Sequence, residues 1–410
     1  MLNRAQDIIK PRPQPYHHGE KYLVTRANRR RKAKTASAEE NTVTTTIARR
    51  ILGDQRSAGP RKIQRAPMNW TSRTMLKPIR SGRFLRTRRA NTHFYVNPRI
   101  LYNRKMSLVV VGSVAYDGVE TPHGRVERML GGAATYISLA ASFFTEPKLV
   151  GIVGDDFADA DADLLAGRGV DLEGLERVPG KTFFWAGKYS QDMNDRETLI
   201  TELNVFADFQ PKLPASYRSA PYLLLGNIQP SLQRNVRAQM NGLRLAGGDT
   251  MNFWINDFRQ ELLATIAEWD FLLINDSEAR LLSGETNLRK AAAAILAMGP
   301  HTLVIKRGEY GAMLFRNDSF FIVPGYLLED VFDPTGAGDC FAGGFIGYLA
   351  EQGFDLKAGH IGRGDLSRAV IYGSVMGSFC CERFGVERFR NLTRREIDAR
   401  FDEFRKFTSF

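Results

Sequence analysis

Residues 331–350, with the sequence VFDPTGAGDCFAGGFIGYLA, constrain the fold more than any other stretch of this 410-residue chain. A short apolar pair leads into Asp333, Pro334 and Thr335, a glycine-rich turn follows, and apolar residues then recur at helical spacing. This pattern predicts a loop that feeds directly into the N-terminus of a helix. The first N–H groups of a helix have no partner within it and lie at the positive end of its dipole. The turn is therefore expected to bind an anion such as phosphate.

The turn consists of Gly336, Ala337 and Gly338, and we expect the N–H groups of residues 336–339 to form an anion hole, because glycine lets a ligand approach the backbone closely. Asp339 follows, where its carboxylate would repel a phosphate unless it had another task. Taking a proton from an attacking hydroxyl is such a task, since phosphoryl transfer otherwise needs mainly positioning and charge neutralisation. A helix cap is the alternative for Asp339, and a GxGD pattern on its own would favour it.

The first convincing strand is the apolar, β-branched run Ser107–Val111. Asp117 follows it, at the edge where open α/β sheets place their ligand crevice. Gly131 and Gly132 then precede an apolar helical stretch and leave the backbone accessible. The alternatives are a turn aspartate and two glycines that allow tight packing.

Strands and helices alternate through residues 106–410, which predicts an α/β domain with a mostly parallel sheet and helices on both faces. Aromatic and β-branched runs within residues 116–130 and 181–208 are separated by polar residues. We expect these runs to form a small sheet, the lid, that closes over the ligand and excludes water.

Residues 331–350 resemble the C-terminal signature of the ribokinase (PfkB) family of carbohydrate kinases, and GSVAYDG at 112–118 with GGAATYISLAAS at 131–142 resembles its N-terminal signature. The resemblance covers essentially all of residues 106–410. It implies a ribokinase-like three-layer α/β/α sandwich with a β-sheet lid. It also implies ATP-dependent, Mg²⁺-dependent phosphorylation of a primary hydroxyl on a sugar or sugar-like molecule, with Asp339 as general base. A requirement for a monovalent cation stays open.

On the acceptor side, the resemblance implies that Asp117 holds substrate hydroxyls and that Gly131 and Gly132 let the sugar lie against the backbone. Arg196, in the segment NDRET, is the cation we expect near the transferring phosphate or the substrate; an arginine on a hairpin surface is the alternative. The family usually has Asn five residues into the GG motif, where this chain has Tyr136. This departure leaves the identity of the substrate open.

Two asparagines lie at the ends of predicted strands. Asn227 and Asn252 are placed there to meet a polar ligand, with ordinary turn chemistry as the alternative. Two residues after the second asparagine the family commonly has Arg, and this chain has Trp254.

On the nucleotide side, the sequence NDSE at 275–278 resembles the family's NxxE motif. The resemblance implies that Glu278 holds magnesium through water and that Asn275 lies beside the nucleotide. A helix cap is the alternative for both residues, because Asn favours the cap position and Glu the first turn.

The segment RGEYGA at 307–312 resembles the family's nucleotide loop, in which Gly308 and Gly311 would permit close approach of the nucleotide. Lys306 directly precedes this segment and is expected to bind the nucleotide, with a simply solvated lysine as the alternative. Ser374 lies in the small-residue stretch GSVMGS at 373–378, where the family packs the adenine. Close packing between helices is the alternative for this stretch.

Residues 1–105 hold 26 Lys and Arg against 5 Asp and Glu, whereas residues 106–410 hold 31 against 40. The net charge of +12 therefore comes from this leader. Scattered proline and the lack of a sustained apolar period predict disorder. A transit peptide, a nucleic-acid-binding arm and an early start codon are the competing interpretations, and we favour Met106 as the functional start.

Composition excludes several classes. The only cysteines are Cys340, Cys380 and Cys381, without a CxxC pair, which predicts a reducing compartment and no structural zinc. No apolar run approaches the ~20 residues of a membrane helix. We therefore expect a cytoplasmic monomer or homodimer with no membrane partner.

Two other functions stay open. A nucleoside kinase of the same family would use the same scaffold, and an aromatic-lined pocket with Tyr136 and Trp185 as candidates would favour it. A nucleic-acid-binding protein acting through residues 1–105 belongs to a different class. Its binding would depend steeply on salt and would be lost with the leader.

Overall fold

The computed structural model describes residues 106–317, 319–355 and 361–408, and the predicted basic extension lies outside this range. The strands are β1 Ser107–Val111, β2 Ala115–Thr121, β3 Gly124–Gly131, β4 Glu146–Val153, β5 Asp171–Arg177, β6 Phe183–Tyr189, β7 Arg196–Glu202, β8 Tyr222–Leu225, β9 Leu245–Gly248, β10 Phe271–Asn275, β11 Thr302–Lys306, β12 Ala312–Arg316 and β13 Ser319–Val323. The helices are α1 Ala133–Ala141, α2 Asp159–Gly167, α3 Pro230–Gln239, α4 Asn252–Asp257, α5 Arg259–Ile266, α6 Asp276–Ser283, α7 Leu288–Leu296, α8 Ala337–Glu351, α9 Arg363–Cys380, α10 Glu387–Asn391 and α11 Arg394–Thr408.

Nine strands form the central sheet in the order β13-β12-β11-β10-β9-β8-β1-β4-β5. Every neighbouring pair from β11 to β5 is parallel, and β12 and β13 add an antiparallel edge. Parallel strands need long crossover connections, and helices supply most of them here. The predicted α/β fold with a mostly parallel sheet is confirmed.

Both faces of this sheet are buried, which explains why its strands are short, continuous apolar runs. In β1, Leu108 and Val110 belong to the core on one face, whereas Val109 and Val111 belong to the core on the other. Helices α1, α8, α9 and α11 cover the first face, and α3, α5, α6 and α7 cover the second. The result is the predicted three-layer α/β/α sandwich.

Helix α8 is buried on nearly all sides because it packs between α1 and α9. A Cβ atom on Gly343 would lie 2.4 Å from the Ile137 carbonyl oxygen, and one on Gly344 would lie 2.7 Å from that of Tyr372. The paired glycines therefore let three helices approach closely.

In the part of the chain that the structure describes, no helix has both the length and the apolar character needed to cross a membrane.

A second sheet of four strands, in the order β3-β2-β6-β7, forms the lid. Its strands fall within one residue of the predicted ranges 116–130 and 181–208. The last part of the second range is a 3₁₀ helix, Asn204–Asp208, and not a strand. Asn204 has a φ of 49°, which a strand does not accommodate, and its side-chain amide donates to the Thr182 carbonyl at 3.0 Å.

Candidate active site

The loop before α8 is shaped by the fully buried carboxylate of Asp333. Its Oδ1 atom accepts a hydrogen bond from the Thr335 N–H at 2.9 Å, and its Oδ2 atom accepts one from the Gly385 N–H at 3.0 Å. Gly336 follows with a φ of 76°, a left-handed conformation that favours glycine. A Cβ atom there would also lie 2.5 Å from the Tyr136 ring. These contacts fix the turn that begins α8.

The free amides at this turn differ by one residue from the predicted set. The Ala337 N–H donates to the Pro334 carbonyl at 3.2 Å, so this group is already used. Among the residues described, the N–H groups of Gly336, Gly338 and Asp339 have no backbone partner. These three N–H groups are available to an anion at the positive end of a 15-residue helix.

Asp339 is the third residue of α8, and its side chain is partly exposed and not packed into the core. Its carboxylate makes no hydrogen bond to the described residues that would cap this helix, and the N-cap position is Gly336. Desolvation raises the pKa of its carboxyl group above the ordinary value, while the charges of Lys306 and Arg196 oppose the rise. Its own charge raises the pKa of Asp117, so the two carboxylates lie near each other. This is the placement that a general base for a bound alcohol requires.

Three neighbouring strands end in a cluster of charged side chains. Asp249 follows β9, Glu278 lies in the first turn of α6 after β10, and Lys306 ends β11. Burial raises the pKa of Asp249 well above its ordinary value; the Asp339 charge adds to this rise and the Lys306 charge opposes it. Burial also raises the pKa of Glu278, and Lys306 again opposes the change. The positive charge of Lys306 therefore acts on the carboxylates of Asp249, Glu278 and Asp339.

Sequence reasoning did not select Asp249, although its position directly after a buried strand is a signal that could have identified it. The side chain is 8% exposed, and its Oδ1 atom has no hydrogen-bond partner among the described residues. A buried carboxylate without a partner is costly, so this atom is expected to meet a cation or a ligand.

The NxxE segment forms a capping box at the start of α6. The Asn275 Oδ1 atom accepts the Glu278 N–H at 2.8 Å, and the Glu278 Oε2 atom accepts the Asn275 N–H at 2.9 Å. The cap interpretation is thus realised for both residues. It does not exclude a second role, since the other carboxylate oxygen of Glu278 is not used by the cap.

On the acceptor side, Asp117 lies buried on lid strand β2. A Cβ atom on Gly131 would lie 2.0 Å from the Asp117 Oδ2 atom, so only glycine leaves room for this carboxylate. Gly132 has a φ of 92°, a conformation that favours glycine. Burial and the negative charges of Asp333 and Asp339 raise the pKa of Asp117 to about 7.

We predict that Asp117→Asn makes the protein relatively more stable as pH rises. Between the ordinary pKa of 3.8 and the folded value of about 7, the unfolded chain releases a proton that the folded chain retains. The wild-type free energy of unfolding therefore falls over this range. The stability advantage of the variant should grow by about 2.6 kcal/mol between pH 5 and pH 8 in urea unfolding. Asp163→Asn, at an exposed position of α2, is the control, and an advantage that does not change with pH would contradict the prediction.

The two aromatic candidates for a base-binding pocket lie in different surroundings. Tyr136 is 1% exposed, and its ring packs against Gly336 inside the domain. Its hydroxyl group has no hydrogen-bond partner among the described residues. Tyr136 thus packs against the glycine turn from inside the domain and does not line an open crevice.

Trp185 lies on β6 directly opposite Asp117 on β2, so the two side chains point to the same face of the lid. Gly187, two residues on, leaves space for the indole, because a Cβ atom there would lie 2.2 Å from the ring. The Arg196 guanidinium lies 5.1 Å from the ring centroid. The Trp185 indole therefore provides a flat aromatic surface beside Asp117, the carboxylate that is expected to hold the acceptor.

The lid contacts the anion loop directly. The Tyr189 hydroxyl and the Thr335 hydroxyl lie 3.1 Å apart, and the Thr121 hydroxyl donates to the Phe332 carbonyl at 3.0 Å. Arg196, on the same lid, is exposed, and its charge acts on Asp117, Asp339 and Glu278. Through Arg196, the lid thereby supplies a positive charge that acts on these three carboxylates.

Of three other predicted residues, two make hydrogen bonds within the protein and one is exposed. Asn227 accepts the Trp254 indole N–H at 2.8 Å, so the residue that replaces the family's arginine holds this amide. Asn252 is exposed as the first residue of α4. The Ser374 hydroxyl donates to the Val370 carbonyl within α9 at 3.1 Å. The ligand roles of these three residues stay predictions.

The glycines of the predicted nucleotide loop differ in their surroundings. Gly308 begins a 3₁₀ helix, Gly308–Tyr310, with a φ of 55° and open space where a Cβ would lie. Gly311 has a φ of 85°, and a Cβ there would lie 2.1 Å from the Val323 carbonyl oxygen. Gly311 is thus required by the fold, whereas Gly308 leaves room for a ligand.

The free amides, the adjacent carboxylate of Asp339 and the four-stranded lid suit phosphoryl transfer to a small molecule. Fold and site together define an α/β small-molecule kinase. The chain belongs to the pfkB family of carbohydrate kinases, because the sequence profile of that family matches residues 105–391.

Several known proteins are similar to this chain. The cytidine kinase of Thermococcus kodakarensis is 30% identical over 251 residues, which cover 59% of this chain and 87% of that protein. The Burkholderia thailandensis nucleoside kinase, solved with inosine, has a TM-score of 0.57 and 23% identity, covering 72% of this chain and 98% of that one. Arabidopsis thaliana ribokinase, solved with ribose and ATP, has a TM-score of 0.58 and 20% identity, covering 73% and 99%. These structures share the ribokinase-like fold.

Proposed function

We propose that the protein is an ATP-dependent kinase that phosphorylates the primary hydroxyl of a nucleoside. The position of Trp185 carries this proposal: its indole lies on the same lid face as Asp117. A ligand with hydroxyl groups at one end and a planar aromatic ring at the other fits this pair, since stacking favours the ring and the carboxylate accepts the hydroxyls. The relatives named cytidine kinase and nucleoside kinase support the same substrate class. A nucleoside thus replaces the sugar as our preferred acceptor.

In the proposed reaction, Asp117 accepts hydrogen bonds from the sugar hydroxyls and positions the acceptor. Asp339 takes the proton of the primary hydroxyl as its oxygen forms a bond with the γ-phosphorus. The bond between that phosphorus and the β,γ-bridging oxygen breaks, and ADP leaves with the bridging oxygen. The N–H groups of Gly336, Gly338 and Asp339 stabilise the charge on the phosphoryl oxygens.

The carboxylates of Asp249 and Glu278 fit Mg²⁺, which prefers oxygen ligands and usually keeps several waters. Asp249 contributes a buried oxygen that has no hydrogen-bond partner among the described residues, and Glu278 contributes an oxygen that its capping box does not use. These two residues would hold the ion through water. When bound, it would neutralise the charge of the nucleotide phosphates.

An acceptor screen with the full chain tests the substrate class. ADP release from MgATP would be measured with ribonucleosides, starting with cytidine, and with free ribose and fructose. We expect kcat/KM for the best nucleoside to exceed that for either sugar by at least about tenfold, because base stacking contributes ~1–3 kcal/mol. A preference for a free sugar would overturn the nucleoside assignment, and acceptor-independent ADP release would overturn the kinase assignment.

We predict that Trp185→Ala lowers kcat/KM for the nucleoside by about 10- to 100-fold, the loss expected for one stacked base. The rate with free ribose should change by less than about threefold, since ribose has no base to stack on the indole. Phe253→Ala is the matched control. It removes an aromatic side chain that lies outside the lid and is 47% exposed. Equal losses for nucleoside and ribose would contradict a base-stacking role.

A further inference from the structure

We propose that Lys306 is a further catalytic residue, whose ammonium group contacts an oxygen of the γ-phosphoryl group during transfer. The inference rests on the proposed kinase reaction but not on the identity of the acceptor. It goes beyond the nucleotide-loop resemblance, which assigns Lys306 no step in the chemistry.

The first support is position. Lys306 is the last residue of β11 and pairs with Asn275, the last residue of β10. From there its side chain reaches the first turn of α8, since a Cβ atom on Gly338 would lie 3.1 Å from the Lys306 Nζ atom. Glycine at position 338 therefore leaves the space that the ammonium group occupies. The ammonium group lies beside the amides that form the proposed anion hole.

The second support is electrostatic. A cation is unfavourable at the positive end of a helix dipole, where Lys306 nevertheless places its ammonium group. Its charge acts on the carboxylates of Asp249, Glu278 and Asp339, which offset this cost. Amide hydrogens and an ammonium group around the same space form a site for an anion with several oxygen atoms, such as a phosphoryl group.

The third support is that Lys306 is not neutralised by contact. Within the described residues, no carboxylate oxygen lies in an ion pair with its Nζ atom, although its charge acts on three carboxylates. The side chain is partly buried, so it is not a freely solvated lysine either. Its donors are thus held in the crevice and available. A structural lysine would be expected to form direct ion pairs instead.

The test compares Lys306→Met with Lys306→Arg in the full chain, using whichever acceptor the wild type phosphorylates. Turnover and KM for ATP would come from ADP release, and Kd for MgADP from calorimetry. MgADP lacks the transferred group, so its binding reports the nucleotide site alone. Lys290→Met, at an exposed position on α7, is the matched control.

We expect Lys306→Met to lower kcat by about 10²- to 10³-fold. This is the loss expected when one hydrogen-bond donor to the charge that develops in the transition state is removed. Kd for MgADP should change by less than about threefold, and Lys306→Arg should restore kcat to within about tenfold of wild type, because the charge is retained. A kcat for Lys306→Met within about threefold of wild type would overturn the inference. So would a loss of MgADP affinity as large as the loss of kcat, or a Lys306→Arg variant as slow as Lys306→Met. Wild-type chain that shows no acceptor-dependent ADP release would instead refute the kinase proposal.

Discussion

Asp339→Asn is expected to lower kcat by about 10²- to 10⁴-fold, the contribution of a general base, while the fold stays intact. The amide has nearly the shape of the carboxylate but does not accept the proton of the attacking hydroxyl. Because desolvation disfavours the charged form of Asp339, the variant should unfold at the same temperature as wild type or slightly higher. The measurements are steady-state ADP release with a saturating acceptor and thermal unfolding of the same preparations.

The chain offers a matched control for this substitution. Asp365 is also the third residue of a helix, α9, where it caps the N-terminus by accepting the Gly362 N–H at 3.0 Å. Asp365→Asn should change turnover by less than about twofold and cost up to ~1 kcal/mol of stability through the weakened cap. If Asp339→Asn behaved like this control, Asp339 would be a helix-terminal aspartate without a role in the chemistry.

Gly131→Ala is expected to lower kcat/KM for the acceptor by about 10²-fold, the effect of a misplacement of about 1 Å in a reacting complex. The added methyl carbon would lie 2.0 Å from the Asp117 Oδ2 atom, so the carboxylate must move. KM for ATP should stay within about threefold of wild type, because the role proposed for Asp117 is confined to the acceptor. The effect thus separates the acceptor site from the nucleotide site.

Gly167→Ala is the matched control, since it adds the same methyl group at the end of α2, with no atom within 4 Å of the new carbon. This change should leave kinetics unaltered. A Gly131→Ala enzyme with normal acceptor kinetics would show that Asp117 does not position the substrate. Circular dichroism and thermal unfolding of both variants would exclude a general loss of structure.

The fold could be predicted well from the sequence because its signals are local. Apolar β-branched runs such as Ser107–Val111 mark buried strands, and the glycine turn before Asp339 marks a helix start. The lid was predictable for the same reason. The end of the lid strand at Glu202 was not, because it depends on the backbone conformation of Asn204 and on its long-range contact with Thr182.

The site was predictable in its parts but not in its contacts. The sequence shows that Asp117 and Asp339 both lie near loop ends, but not that their charges interact across 222 positions of the chain. The sequence places Asp249 at a strand end, but the lack of a hydrogen-bond partner for its Oδ1 atom among the described residues is a property of the folded structure. Similarly, Tyr136 and Trp185 are both plausible base contacts in sequence. Only packing places one beneath Gly336 and the other beside Asp117.

The most direct measurement is a proton-coupled phosphorus NMR spectrum of the product formed from MgATP and an accepted nucleoside by the full chain. A phosphate on the primary hydroxyl sits next to a carbon with two protons, so the account predicts a triplet that grows in step with ADP. The same spectrum with Asp339→Asn should show no product signal in the same time. A doublet from a secondary phosphate ester, or ADP accompanied by inorganic phosphate alone, would contradict transfer to a primary hydroxyl held between Asp117 and Asp339.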